Sequence, residues 1–316
     1  MVSRRSHRWC SNARFSGGRS LVNVYIANDT SGFHAGSWAV IASLKHKLVS
    51  AGHRIIATTP RPLGPDPRAI EACDAMILNG EGALQEEALG WEDDRAANLL
   101  KGLALAKKSG KKAYLVNAVW HRMRPGWTGL LRSLDGLWVR EIASQQEMEK
   151  EQRVRPDVFL DLSYSCPVNT PSGISDSDGK DVVGFFYRNN MPRFGAFDHS
   201  HRLFRKMKRL SLGGEAEGSK TVGDWSQVVN GLRGANLYVT GQHHGVYAAC
   251  RTRTPFVIFK LYNHKISGLF QWAGVDIPIA RNRWELAYAI RWARRHREVY
   301  ETFFTWMERQ PTWSGI

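Results

Sequence analysis

The sequence lacks the features that mark several common classes of protein. Its four cysteines are scattered through 316 residues and form no CxxC pair, so neither a disulfide framework nor a cysteine zinc site is indicated. No apolar run approaches the length that a membrane span requires. Residues 1–20 are rich in Arg, Ser and Gly without the apolar core of a signal peptide. We therefore expect a cytoplasmic protein with reduced thiols and a disordered basic arm at residues 1–20.

Acidic residues are scarce relative to basic ones. The chain has 44 Lys and Arg but 29 Asp and Glu, a formal net charge of +15. This excess indicates an anionic partner, which could be nucleic acid, an acidic membrane surface or a phosphorylated substrate. Hydrophobic residues make up 43% of the chain, which is enough for a folded core and excludes a disordered protein.

In the first half of the chain, short apolar runs alternate with amphipathic segments. The predicted strands are 21–27, 53–58, 74–79, 113–117, 137–140 and 157–161, and the predicted helices are 38–50, 93–109 and 141–152. Ala51-Gly52 follows the first helix, as is typical of a helix C-terminus. This alternation predicts βαβ units and a parallel sheet over residues 21–166.

The second half repeats the pattern after a polar linker. Residues 167–181 are rich in Ser, Asp, Gly and Pro and carry no apolar period. Beyond them, the predicted strands are 182–187, 237–240 and 255–259, and the predicted helices are 200–212, 225–232, 246–250, 263–273 and 284–309. Two such halves predict an α/β protein in which two Rossmann-like domains, 21–166 and 182–316, face a cleft. The last helix, 284–309, is expected to be long.

Polar residues in two loops of the first half are candidates for the site. Asp29 and His34 lie between the first strand and its helix, and Glu81 lies between two glycines after a later strand. Ligands in such folds bind outside the carboxyl ends of the strands. Glu81 could bind sugar hydroxyls or act as a base. Asp29 could instead hold the turn, and Ser37 could cap the helix.

Three basic residues are candidates for binding an anion. Arg140 ends a predicted strand, Arg188 directly follows another, and Lys265 opens a predicted helix. Guanidinium groups and helix N-termini both bind phosphate and carboxylate. For Arg140, an ion pair with Glu141 or Asp161 is an equally good interpretation. For Lys265, an ordinary surface position is the alternative.

The turn after the strand 237–240 carries the strongest candidate. It contains Gln242, His243 and His244 between two glycines, directly before a predicted helix. A helix N-terminus lowers the proton affinity of an imidazole and leaves it able to exchange protons near neutral pH. A lone histidine is more often structural, but the turn and its neighbours favour a functional His244.

These segments together resemble the polysaccharide pyruvyl transferase family. The residues that carry the resemblance are Asn28-Asp29-Thr30-Ser31, Gly80-Glu81-Gly82, Val139-Arg140-Glu141 with Ser144, Thr240-Gly241-Gln242-His243-His244-Gly245, and Thr254-Pro255-Phe256-Val257 with Lys265-Ile266 and Gly268-Leu269. They run in order from about Leu21 to Gly274. The resemblance implies a GT-B-like fold and the transfer of a pyruvyl group from phosphoenolpyruvate to a sugar. The product would be a ketal on an exopolysaccharide of the cell envelope or on its lipid-linked precursor.

The resemblance also implies roles for the candidate residues. His244 would be the acid/base group, and Arg140 an anion ligand that Lys265 assists. Glu81, Asp29 and His34 would lie on the acceptor side. No metal and no cofactor is implied, since phosphoenolpyruvate is a substrate, and the implied partners are small anions and glycans rather than nucleic acid.

One position departs from the family pattern. The family has arginine two residues before the histidine of the turn, where this chain has Gln242. His243, or a cation at Arg188, Arg251 or Arg253, could compensate, or the donor could differ, or activity could be lost. A GT-B glycosyltransferase that uses a nucleotide-sugar and a catalytically silent anion- or glycan-binding protein therefore remain alternatives.

The final predicted helix mixes aromatic and basic residues. Its aromatic residues include Trp284, Tyr288, Trp292, Phe303 and Trp306, interleaved with arginines. They are expected mainly in the core, where such a helix would pack across the domains. Aromatic residues beside arginines also suit an anionic membrane surface, so peripheral contact with the inner face of the membrane is the open alternative.

Overall fold

The chain folds around two separate parallel sheets. The computed structural model describes residues 21–85, 94–169, 177, 179–184, 204–213, 221–259 and 264–316. The expected arm at 1–20, most of the expected linker, and Arg188 lie outside these described residues.

The first sheet has six parallel strands in the order β2-β1-β3-β4-β5-β6. Its strands are continuous apolar runs because helices cover both faces of a parallel sheet. The elements are β1 (Asn23–Asp29), α1 (Ala35–Ser50), β2 (Arg54–Pro60), α2 (Pro67–Ala72), β3 (Ala75–Asn79), α3 (Arg95–Lys108), β4 (Lys112–Ala118), α4 (Thr128–Ser133), β5 (Gly136–Val139), α5 (Ile142–Gln152) and β6 (Asp157–Val158), then a 3-10 turn (Leu162–Ser165).

The second sheet has five parallel strands in the order β11-β10-β9-β7-β8. Its elements are β7 (Asp181–Val183), β8 (Lys208–Arg209), α6 (Trp225–Asn230), β9 (Leu237–Thr240), α7 (His243–Arg251), β10 (Phe256–Phe259), α8 (Lys265–Ala273), β11 (Ile279–Ala280), α9 (Arg283–Arg295) and α10 (Arg297–Arg309). Two parallel sheets with alternating helices confirm the prediction of two Rossmann-like domains.

Helix α1 joins the two domains because it packs on both. Val40 and Leu44 are buried against the first sheet, while Ala35 and Ala39 belong to the core of the second domain. The backbone N–H of Ala35 also donates to the carbonyl of Leu212, at 2.9 Å. The start of α1 therefore lies at the boundary between the domains.

The last residues of the chain return to the first domain. Leu160 donates its backbone N–H to the carbonyl of Pro311, at 3.2 Å, and pairs with Thr312. Trp313 is 2% exposed, and its ring meets that of Trp138 edge-on at 6.0 Å. This second crossing links the domains far from α1 in the sequence.

Three predicted elements differ from the structure. Helix α7 begins at His243 and not at the predicted residue 246. Gln242 is extended, and the backbone is helical from His243 onward. The prediction of a helix over 200–212 is wrong within its described part, where Leu210 donates to Val183 and β8 joins the sheet. The final segment is two helices, because His296 ends α9 by bonding back to Trp292 and α10 then restarts.

The aromatic residues of the two final helices divide between core and surface. Phe303 is fully buried, and Trp292 and Trp306 pack against the same core. Trp284 and Tyr288 are 72% and 58% exposed. Among the described helices, none has the length and apolar character needed to cross a bilayer. Contact with a membrane surface stays a prediction.

Candidate active site between the two domains

In each sheet there are two neighbouring strands after which the chain continues toward opposite edges of the sheet. In the first sheet this switch point lies between β1 and β3, and in the second between β7 and β9. Ligands of open α/β sheets bind at the carboxyl ends of the strands at such points. Glu81 follows β3, and Gln242, His243 and His244 follow β9. Sheet topology thus places both candidate loops at the expected binding crevices.

Glu81 is a buried carboxylate that is held by two hydroxyl groups. Thr30 Oγ1 donates to Oε2 at 2.5 Å, and Ser37 Oγ donates to Oε1 at 2.7 Å. Asn28 holds this loop in place, because its side-chain amide donates hydrogen bonds to the carbonyls of Asn79 and Glu81 at 2.7 and 3.2 Å. Asn28 has a φ of 61°, a left-handed conformation that asparagine tolerates well. Glu81 is therefore oriented before any ligand binds.

His244 reaches across the boundary to this carboxylate. Its Nε2 lies 3.4 Å from Glu81 Oε1 and 3.8 Å from Asp161 Oδ1. Its ring meets the ring of His34 edge-on, with 4.9 Å between the centroids. A Cβ atom at Gly36 would lie 2.3 Å from the Cβ of His244. Only glycine at position 36 lets the first turns of α1 and α7 approach this closely.

His34 also caps α1. Its Nδ1 accepts a hydrogen bond from the backbone N–H of Ser37, at 3.2 Å. The expectation that Ser37 caps this helix is therefore wrong, because the Ser37 hydroxyl is used by Glu81. The accepting Nδ1 leaves the ring proton on Nε2.

Arg140 forms a buried ion pair with Asp161. Its Nη1 lies 2.5 Å from Asp161 Oδ2, and the two side chains are 2% and 0% exposed. Asp161 is held by Ser163, whose N–H and hydroxyl donate to Oδ1 at 2.9 and 2.6 Å, and by Asn117 at 3.4 Å. The pair with Asp161, considered from the sequence, is thus present. This ion pair uses only Nη1 of the guanidinium group.

Buried polar atoms without a hydrogen-bond partner are concentrated at this boundary. Within the described part of the chain, they include Arg140 Nε and Nη2, both amide atoms of Gln242, His243 Nε2 and both ring nitrogens of His244. Each such atom costs about 1–3 kcal/mol when it is left unpaired. Native proteins keep few of them. Their concentration at the domain boundary is typical of a site that binds a polar ligand.

The ionisable groups of the site have shifted pKa values. Burial lowers the pKa of His34 to about 4 and holds the pKa of His244 well below its ordinary value. Burial also lowers the pKa of Lys265, to about 7, with Arg140 as the next cause. Burial alone would raise the pKa of Glu81, but His244 and Arg140 keep it below its ordinary value. A charged carboxylate therefore faces neutral imidazoles.

His243 belongs to the same group. It is partly buried beside His244, and burial holds its pKa well below the ordinary value. Ligand atoms of Glu81, His243 and His244 lie within 4.8 Å of one another, as a metal site would require. Two hydroxyls already donate to the oxygens of the Glu81 carboxylate, so both oxygens are engaged within the protein.

One candidate, Asp29, is not part of this group. Asp29 pairs with Lys45 at 2.9 Å and accepts from the N–H of Ser31 at 3.0 Å, so it stabilises the turn, as its alternative interpretation held. Burial would raise the pKa of Asp29, but these hydrogen bonds keep it lowered. Arg188 lies outside the described residues.

For Asp161, the sequence indicated only a candidate ion pair with Arg140, and its place in the site was missed. It follows β6, so it lies at the same carboxyl edge as Arg140 and Glu81. That position after a strand could have identified Asp161 as a candidate site residue from the sequence. The roles of Thr30 and Ser37 had no signal, because hydroxyl residues at a helix start are ordinarily caps.

The comparisons with known proteins establish the fold and nothing finer. Neither a protein-family model nor a curated protein matches the chain. Solved structures do, at 10% identity. An S. aureus MnaA–UDP complex has a TM-score of 0.57 over 89% of this chain and 90% of its own. A putative UDP-N-acetylglucosamine 2-epimerase from Listeria monocytogenes scores 0.55 over 94% and 93%. The spinosyn rhamnosyltransferase SpnG with thymidine diphosphate scores 0.52 over 92% and 97%. The chain therefore has the GT-B-like fold that the sequence predicted.

Proposed function

We propose that this protein transfers a pyruvyl group from phosphoenolpyruvate to two hydroxyl groups of a sugar and forms a cyclic ketal. The observation that carries the proposal is the set of unpaired N–H groups of Arg140 beside the His244–Glu81 contact. The donor needs cations for its phosphate and carboxylate, an acid for its methylene carbon and a base for the acceptor. All three kinds of group lie together at the domain boundary.

Arg140 and the start of α7 bind the donor anion in this mechanism. Asp161 occupies one guanidinium nitrogen, so Nε and Nη2 remain to donate to a phosphate or carboxylate. The free N–H groups of the first turn of α7 favour the same charge. Lys265, at the start of α8, adds a further cation close to Arg140.

His244 supplies the proton that activates the donor. Before the donor binds, its imidazole is neutral because burial and the nearby cations oppose protonation. A bound phosphate and carboxylate add negative charge beside the ring, which raises its pKa, so His244 takes up a proton from solvent as the donor binds. His244 then protonates the methylene carbon. That carbon becomes a methyl group, and the adjoining carbon becomes electrophilic.

Glu81 removes the proton of the attacking hydroxyl. The first sugar oxygen bonds to the electrophilic carbon and its proton passes to Glu81, which returns it to His244 at 3.4 Å. The bond from that carbon to the phosphate oxygen then breaks. The second hydroxyl closes the ketal, and its proton leaves with the phosphate. Protons and charge balance without a further reactant.

The contacts of Arg251 and Arg253 indicate whether either residue can replace the arginine that is missing at position 242. Arg251 donates to the carbonyls of Tyr164 and Cys166, and Arg253 pairs with glutamates of α10. Neither therefore compensates for the missing arginine. Arg140 and Lys265 carry that role among the described residues.

Transfer from a nucleotide-sugar is the second candidate. It is favoured by the nucleotide diphosphates in the complexes of MnaA and SpnG, which share the fold. Fold alone does not fix the substrate, however.

The test incubates the full chain with phosphoenolpyruvate and a free or lipid-linked glycan. Release of phosphate together with a glycan mass increase of one pyruvyl ketal supports the proposal. Release of UDP or TDP from a nucleotide-sugar, with no phosphoenolpyruvate turnover, would replace it by the second candidate. Glycan or polyanion binding without turnover of either donor indicates a silent binding protein.

A further inference from the structure

A second cluster of ligand-type side chains bridges the domains beside the start of α8. It consists of His121 and Glu147 from the first domain and His264 from the second. His121 Nδ1 and His264 Nδ1 lie 3.1 and 3.4 Å from the same atom, Glu147 Oε2. The imidazole rings meet edge-on with 4.6 Å between centroids. Two ring nitrogens thus lie beside one carboxylate oxygen, and the three ligand atoms are within 4.8 Å of one another.

The hydrogen bonds behind His264 fix which ring nitrogen faces this carboxylate oxygen. Nε2 of His264 lies 3.2 Å from Ser144 Oγ and 3.3 Å from Glu141 Oε1. The Ser144 hydroxyl already donates to Glu141, so both neighbours accept from His264. Its proton therefore sits on Nε2, and the Nδ1 lone pair faces the Glu147 carboxylate. A lone pair and a carboxylate oxygen at 3.4 Å repel each other, and a cation between them would remove that repulsion.

The cluster has the support that metal ligands have. Glu147 uses its other oxygen to accept from the backbone N–H of Arg122, which orients the carboxylate. A carboxylate on the far nitrogen of His264 is the arrangement that fixes the tautomer of ligating histidines. The side chains are 14%, 18% and 17% exposed, so an ion can enter from solvent. The cluster is therefore oriented and accessible.

The spacing of the ligand atoms matches a small transition metal. Bonds of about 2.0–2.1 Å in a tetrahedral site separate neighbouring ligand atoms by roughly 3.3 Å. The two observed separations from Glu147 Oε2 are 3.1 and 3.4 Å, and the two ring nitrogens lie within 4.8 Å of each other. Two imidazoles and one carboxylate are a ligand set that suits Zn²⁺ and related ions better than Mg²⁺ or Ca²⁺.

We propose that His121, Glu147 and His264 form a divalent transition-metal site, of the zinc class, that ties the two domains together. The family resemblance implied no metal, and these three residues lie far apart in the chain without a recognisable ligand spacing. His264 directly precedes Lys265, so the ion also fixes the start of α8 relative to the first domain. The site is independent of the proposed reaction, which uses none of these three residues.

The decisive experiment measures zinc binding by the full chain. The protein is stripped with a chelator and titrated with Zn²⁺ against a chromophoric competitor, alongside Glu147→Gln and His264→Ala. The exposed His46 gives the matched control His46→Ala. We expect wild type and the control to bind one more equivalent of Zn²⁺ than Glu147→Gln or His264→Ala, or to bind it at least roughly 100-fold more tightly. Because His7 and Cys10 are present in every variant, any binding there cancels.

Measurements on wild type alone guard against a folding defect in the variants. Co²⁺ should give the intense visible absorption of a tetrahedral site, and Zn²⁺ should displace it and raise the melting temperature by a few degrees. Equal zinc uptake in wild type and Glu147→Gln overturns the proposal. So does a wild type that binds neither ion, in which case the cluster is only a contact between imidazoles and a carboxylate.

Discussion

At the residue scale, the site is built from imidazoles that burial keeps neutral beside a carboxylate that stays charged. His244 and Glu81 come from different domains and meet at 3.4 Å. Asp161 and Arg140 flank them as a buried ion pair. In such a low-dielectric site, one added ligand charge changes a pKa far more than it does in water. We therefore expect single substitutions at these residues to distinguish effects on turnover from effects on the free energy of unfolding.

Replacing His244 removes the proposed acid. We expect His244→Ala to lower turnover of phosphoenolpyruvate by about 10²–10⁴-fold, the usual contribution of general acid–base catalysis, while circular dichroism stays unchanged. The exposed His46 supplies the control His46→Ala, which should keep full activity. Near-normal turnover in His244→Ala would remove His244 from the mechanism.

The neutral histidines should make the protein sensitive to mild acid. The pKa of His34 is about 4 when folded and about 6.5 when unfolded, so the unfolded state binds more protons between these values. Stability from this group is complete above pH 6.5 and is lost as the pH falls toward 4. By pH 5 the loss is about 2 kcal/mol in the free energy of unfolding.

Urea unfolding at pH 7 and pH 5 measures this effect. His34→Asn keeps a residue that can cap α1 and removes the titrating ring. The variant should lose about 2 kcal/mol less stability than wild type over that interval. An equal loss in both proteins would show that His34 is not the group responsible.

Gln242 tests the choice of donor. Its amide is buried without a hydrogen-bond partner among the described residues. We expect Gln242→Arg to preserve or raise the affinity for phosphoenolpyruvate, measured by calorimetry, because it adds the charge that the related family carries there. Gln242→Met, of similar size and without polar atoms, is the control and should bind no more tightly than wild type. A large loss of affinity in Gln242→Arg would mean that Gln242 is suited to another ligand.

At the element scale, the site depends on two helix starts that nearly touch. The first turns of α1 and α7 approach closely because position 36 has no side chain. A Cβ there would collide with the Cβ of His244. Helix α1 packs on both domains, and its residues Ala35 and Ala39 share a core with Val246 of α7.

Gly36→Ala should therefore be costly, and the chain offers a matched control. We expect a loss of about 1–3 kcal/mol in the free energy of unfolding, typical of overpacking, and a lower turnover because His244 is displaced. At Gly32 the position that a Cβ would occupy has no heavy atom within 4 Å, and φ is not positive, so Gly32→Ala should stay within about 0.5 kcal/mol. Urea unfolding and the phosphate-release assay measure both variants; equal behaviour would refute the close approach.

At the scale of the whole molecule, the domains are joined in a closed arrangement. Arg140, Asp161 and His244 are at most 2% exposed, so the substrates of the proposed reaction can reach them only when the domains separate. The chain crosses between the domains at α1 and again at its end, where Trp313 enters the core of the first domain. Opening must therefore occur around these crossings.

The final crossing should contribute measurably to stability. Trp313→Ala removes a large buried ring, and we expect a loss of about 3–5 kcal/mol in the free energy of unfolding. Trp284 is 72% exposed, so Trp284→Ala should change it little. Urea unfolding monitored by circular dichroism measures both. A Trp313→Ala variant as stable as wild type would mean that the end of the chain does not hold the first domain.

The sequence by itself determined the alternating strands and helices, and hence the two Rossmann-like domains. Apolar runs bounded by glycine turns are local signals, and nearly every strand lies within a few residues of its predicted position. The residues at the carboxyl ends of strands were predicted for the same reason. Short elements such as α2 and α4 were missed because six residues carry too little periodicity.

Only the tertiary structure decided which of these residues act together. Asp29 and Glu81 look equivalent in the sequence, yet Asp29 pairs with Lys45 while Glu81 meets His244 from the other domain. The need for glycine at position 36 and the convergence of His121, Glu147 and His264 depend on how two separately folded sheets dock. Docking brings together residues more than a hundred positions apart, and no local pattern in the chain encodes that distance.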